Sequence, residues 1–181
     1  MAETGEHVKD RKNQKEENPP RPRCRDWMVV SGTNHYGKNR ASFKSYRPVN
    51  RMVPNPLFPG KELYIAGVGT VELNVRASPE EGSPTRTLVL DNVLHIPVAV
   101  CNGFCWGQYH TIHKGTISFG AVFQGTDGQG AALWFGQPFC GLHKLALAGN
   151  PQGESYLNPD GAHMLSLYID EQDLQNILPS G

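Results

Sequence analysis

The sequence predicts an all-β fold: a small closed β-barrel followed by one short C-terminal helix. Twenty glycines and fourteen prolines punctuate the 181 residues into short segments. Several of those segments alternate apolar and polar side chains at period two, while stripes at helical period are scarce.

The elements follow in chain order. Residues 1–25 are rich in Lys, Arg, Glu, Asn and Pro and are predicted to be a disordered tail. Within it Arg21, Arg23 and Arg25 read as a solvated linker or as a short localisation or contact signal, with Glu16 and Glu17 close by. Residues 26–181 are then expected to form one domain, a size that can bury a genuine core. Val71, Leu73 and Val75 alternate with Thr70, Glu72, Asn74 and Arg76, so this stretch predicts a strand with one buried face. The run from Ala77 to Pro84 supplies turn residues and predicts an exposed loop. Thr87 to Ile96 is apolar on both faces, as a central strand requires.

Further on, Gly115 to Gln124 alternates through Ile117, Phe119, Ala121 and Phe123, and Ala131 to Phe135 is apolar beyond the turn 127–130; a hairpin fits both. Leu142 to Ala148 and Met164 to Ile169 predict two more strands, separated by the turn chemistry of Asn150-Pro151-Gln152-Gly153 and Asn158-Pro159-Asp160-Gly161. Asp170 can cap the terminal helix over 171–178, with Leu174, Ile177 and Leu178 as its buried stripe.

Three motifs carry a family resemblance. Trp27, Val30, Ser31, Gly32, Thr33, His35 and Phe43 match a pattern of Trp, then Asp-Ser-Gly-Ala, a His and a Phe. Ile65 to Val71 resembles a Gly-x-Gly-Thr-Val strand, and Leu90 to Pro97 resembles Leu-x-Asn-Val-Leu-Tyr-Val-Pro. Together, over 26–105, they resemble the retropepsin-like protease region of copia-type retrotransposon Pol polyproteins, in a degenerate form similar to chromosomally encoded fungal proteins. Residues 106–170 are then additional strands. The resemblance implies a barrel whose Asp-Ser-Gly turn lies at the interface of two identical subunits.

Where that site needs a carboxylate, this chain has Val30. Aspartic proteases share one proton between two aspartates, and valine holds none. Asp26, four residues earlier, lies about 13 Å away along a strand. Proteolysis is therefore expected to be lost, while Ser31, Gly32 and Thr33 keep the turn. His35 and Tyr36 are the groups that could do proton chemistry in a repurposed cleft.

A second constellation is Cys101, Cys105, His110 and His113, with Cys140 and His143 downstream. Thiolates and imidazoles at such proximity can hold a tetrahedral zinc that staples a small domain. The alternative reading is two small buried cysteines and two polar loop histidines. No cofactor is expected, zinc being the one candidate.

Composition limits the functional classes. Lys plus Arg and Asp plus Glu both number 17, so charge gives no reason to expect nucleic acid or an anionic membrane as partner. No apolar run is long enough to span a bilayer, no signal-peptide pattern opens the chain, and four cysteines do not suggest a disulfide framework. An intracellular protein, cytoplasmic or nuclear, is expected. The expected function is a catalytically inactive protein-binding or dimerisation module, a homodimer among the possibilities. An enzyme of unrelated chemistry in the cleft, a zinc-stapled domain, and a product with no selected role are the alternatives.

Overall fold

The computed structural model describes residues 22–178. Residues 1–21, most of the expected tail, lie outside the described residues. Cys24, also assigned to that tail, is 1 % exposed and donates its backbone N–H to Asn39 Oδ1.

Ten strands form one mixed sheet: β1 (Trp27–Val30), β2 (Tyr36–Gly37), β3 (Ser45–Pro54), β4 (Glu62–Arg76), β5 (Thr85–His95), β6 (Asn102–Cys105), β7 (Ile117–Phe119), β8 (Phe123–Thr126), β9 (Ala132–Phe139) and β10 (Leu142–Leu145). Their spatial order is β3-β4-β5-β2-β6-β1-β10-β9-β8-β7. The pairs β1/β6 and β2/β5 are parallel and the others antiparallel. Helix α1 (Trp106–His113) follows β6, and α2 (Glu171–Ile177) closes the described chain.

Two expectations are corrected here. The sheet is not a closed barrel: β3 and β7 stand at its two edges and do not pair. It folds back where the isolated bridge Val75↔Leu147 joins the end of β4 to the segment after β10, flanked by Arg76 N–H to Ala146 O and Ala148 N–H to Asn74 O. The fold is also not all-β with a single terminal helix. Residues 106–113, which open the stretch expected to hold additional strands, form α1 instead, and it follows the buried strand β6 directly.

β1 lies at the centre of the sheet, between β6 and β10. Alternation along it sends Trp27 and Val29 into one apolar cluster, with Leu88, Leu90, Phe104 and Trp134, and Met28 and Val30 into another, with Ile65, Leu94, Cys105 and Ile177. A strand buried on both faces reads as a continuous apolar run, which is what Trp-Met-Val-Val is. β5 serves both clusters by a different device. Opposite the step from Gly69 to Val71, β5 carries one residue more, and Asn92 takes a φ of 52°. The extra residue reverses the alternation, so Leu88 and Leu90 face one cluster and Leu94 the other.

The expected strand at Met164 to Ile169 does not form; the segment makes only an isolated bridge, Gly32↔Leu167. Helix α2 keeps its expected stripe, with Ile177 buried and Leu174 and Leu178 half-buried. Asp170 sits at its N-cap but makes no side-chain capping bond.

Candidate functional site

Val30, the last residue of β1, is 5 % exposed and packed in the cluster of Met28, Tyr36 and Cys105. The chain then turns through Ser31, Gly32 and Thr33. Gly32 has φ +102°, and a Cβ there would collide with the Leu167 carbonyl, so glycine is required on both counts. Thr33 donates its N–H to Leu167 O at 2.8 Å and its hydroxyl to the same oxygen at 3.3 Å, while Ile169 N–H donates to Thr33 Oγ1 at 3.0 Å. Ser31 and Ser166 share a hydroxyl contact of 3.0 Å, and Tyr36 donates its hydroxyl to Leu165 O at 2.6 Å. The turn is thus strapped by the chain's own segment 165–169. Its hydroxyls bind backbone and a second serine.

A cavity of about 450 Å³ opens beside Val30 and Ser31, walled by Trp106, Phe119, Phe123, Leu142, His143 and His163 among others. Among the described residues, no carboxylate lines the cavity at the turn. Asp26, the nearest acid in sequence, sits at the other end of β1, where it accepts from Ser155 Oγ at 2.5 Å and faces Lys144 Nζ at 3.6 Å.

His35 and Tyr36 are both buried. His35 accepts the Cys105 N–H on Nδ1 at 2.9 Å and stacks on Phe104 with centroids 5.7 Å apart. Burial, helped by the neighbouring His113, lowers its pKa to about 3. It is neutral at pH 7, with one ring nitrogen committed to the backbone. Burial raises the Tyr36 hydroxyl well above its ordinary range, with Cys101 adding to the shift.

The four residues of the cysteine and histidine constellation are engaged separately. Cys101 contacts the Tyr36 hydroxyl at 3.5 Å, and burial pushes its thiol up to about 12. Cys105 donates its thiol to Gly32 O at 3.4 Å, and burial raises its pKa too. His110 accepts from the Trp134 indole at 3.0 Å, and its Nδ1 lies 2.7 Å from Lys114 O, which uses both ring nitrogens. His113 stacks on Tyr109. No group of three or more His, Cys, Asp or Glu side chains among the described residues could hold a metal ion. No helix among them is long and apolar enough to cross a membrane.

Sequence reasoning missed a groove of about 210 Å³ that shares Met164, Leu165 and Ser166 with the cavity beside Val30. Leu57, Phe58, Val98, Val100, Met164 and Tyr168 line it, half of the exposed large apolar side chains among the described residues. They come from the β3-β4 connection, the segment after β5, and the strap with the residue just before it, so no local pattern could join them. Lys38 fixes one wall by donating Nζ to Pro97 O and Ala99 O.

No curated protein and no solved structure matches the chain. The family model described as "Pol polyprotein, beta-barrel domain" matches residues 27–116, from the first residue of β1 to just beyond α1. The strapped turn, β2 to β6 and α1 all lie inside the match, whereas the strap itself and β7 to β10 lie outside it. The barrel of that description corresponds here to an open sheet. Over residues 27–116, just under half of its length, the chain is similar to a Pol polyprotein β-barrel domain.

Proposed function

We propose that this chain is a retrotransposon-derived, protease-like scaffold that has lost proteolysis and acts by binding another protein. One observation carries the loss: the position that would hold the catalytic carboxylate is a buried valine, and the cavity beside it contains no acid. An apolar residue there avoids the cost of burying a charge, so the fold keeps its centre without the chemistry. The strap supports the same reading, since it occupies the backbone and hydroxyl groups of the turn that would otherwise face a second subunit. Pairing of two copies through this turn would require the strap to leave.

The groove supports the binding half of the proposal. Exposed apolar side chains gathered in one concavity mark interaction surfaces more often than scattered ones do. The partner is a protein segment presenting apolar anchors, because the walls offer mainly aliphatic and aromatic surface. Peptide display against the folded chain tests this. Enrichment of apolar-anchored peptides whose binding is lost in F58S and V98S is the expected outcome. Failure to enrich any peptide sensitive to both changes contradicts it.

A further inference from the structure

A cavity of about 590 Å³ lies away from the strapped turn, at the Asp26 end of β1. Arg25, Asp26, Arg76 and Lys144 line it, together with Phe139, the loop from Gly149 to Gly153, and Ser155. Three cations thus meet one carboxylate. Both Asp26 oxygens are engaged, Oδ2 by the Ser155 hydroxyl and Oδ1 by Lys144. The surplus positive charge therefore rests on the two guanidiniums.

Neither guanidinium is fully paired by protein groups among the described residues. Arg25 Nε is buried and has no hydrogen-bond partner among the described residues. Arg76 lies over the Phe135 ring, 5.3 Å from its centroid, and its guanidinium makes no hydrogen bond or ion pair among the described residues. Buried donors are nearly always paired, so an orphan beside a large cavity marks a group awaiting an acceptor. The pairing is also built in by the fold. Arg76 ends β4 at the point where the sheet folds back onto the segment after β10, and Arg25 immediately precedes Asp26 and β1. Gly153 presses so closely on the Arg23 carbonyl and the Arg25 side chain that a Cβ there would overlap both. The loop is thereby held as a wall over Arg25.

We propose that this cavity binds a small organic oxyanion of two or more negative charges, a phosphate ester or a polycarboxylate. Planar guanidiniums match such groups with paired N–H donors, and a neutral or cationic ligand would leave them unpaired. The volume exceeds that of a lone phosphate and falls within the range of small-molecule sites, so the ligand has an organic body that lies along Phe139 and the loop. This site is independent of the apolar groove and of any partner held there.

Isothermal titration calorimetry of the full chain with pyrophosphate, with citrate and with uncharged glucose tests the proposal. The expected result is saturable binding of at least one anion, weakening with added salt, and none of glucose. R25Q and R76Q are each expected to weaken it roughly ten-fold or more. R25K and R76K, which keep the charge and lose the fork, should lie between these and the parent, and R51Q on β3 should match the parent. Circular dichroism melting confirms that each variant is folded. Tighter binding of pyrophosphate assigns the phosphate-ester class, and tighter binding of citrate the polycarboxylate class. Absence of saturable binding by both anions, or binding indifferent to R25Q and R76Q, overturns the proposal.

Discussion

His35 gives the fold a measurable acid sensitivity. Its ring is buried against Phe104 with Nδ1 accepting the Cys105 N–H, and its pKa falls from 6.5 to about 3. The unfolded chain takes up this proton near pH 6.5, whereas the folded protein resists until about pH 3. Between those limits the unfolded state binds more protons, so stability is full above the higher value and declines as pH falls toward the lower. From pH 7 to pH 5 the decline attributable to His35 is roughly 2 kcal/mol. His95 and His110, also lowered chiefly by burial, add losses of the same sign. The variant H35N separates the contributions, because its side-chain carbonyl can accept the Cys105 N–H and cannot titrate. Urea unfolding of both proteins at pH 7, 6 and 5, with reductant present, is the assay. The parent should lose about 2 kcal/mol more than H35N over this interval. Equal losses would refute the assignment of His35 as a buried neutral acceptor.

Other outcomes follow from the same contacts. G32A should destabilise the protein by about 1–3 kcal/mol in urea unfolding, since it places a side chain at φ +102° and against the Leu167 carbonyl. T33V removes the hydroxyl that accepts from Ile169 N–H and donates to Leu167 O. It should speed hydrogen exchange at Ile169 while leaving β5 unchanged, at a cost of about 1–2 kcal/mol. All four cysteines are free, and Cys24, Cys101 and Cys105 are buried whereas Cys140 is half-buried. A thiol reagent applied to the native protein should therefore titrate one fast group, lost in C140S, with the other three reacting only on unfolding.

How much of this was legible in the sequence depends on whether the controlling contacts are local. Thr87 to Ile96 reads as apolar on both faces, and all but its last residue lies in β5, a strand that serves two clusters, because alternation is a property of adjacent residues. Closure is not such a property. Whether β3 and β7 meet depends on stagger and twist accumulated over ten strands, so the period-two signal supported a barrel that the open sheet contradicts. α1 left no readable stripe: Gly107, Thr111 and Ile112 are poor helix formers, and Tyr109 is its only buried residue. Its formation owes more to packing, since Tyr109 lies against Phe104 and His110 against Trp134. The strap looked like a strand because its alternation is genuine, yet only Leu167 reaches a bridging partner at the end of β1.

The sites divide along the same line. Val30 in place of a carboxylate is visible from the motif alone, whereas the groove and the anion cavity each collect residues from distant segments. Cys101, Cys105, His110 and His113 are close in sequence but spent on separate partners, because β6 and α1 point them at Tyr36, Gly32, Trp134 and Tyr109. Sequence spacing suggested a shared ligand, and the strand-to-helix change after Cys105 dispersed them.

The most direct test of the central claim is a peptide-cleavage assay of the purified chain from pH 3.5 to 7, read by mass spectrometry with and without pepstatin. With Val30 buried and no carboxylate lining its cavity, the expected result is an intact peptide library at every pH. Pepstatin-sensitive cleavage would show that a pair of acids assembles at this turn after all, and would contradict the reading of the chain as an inert scaffold.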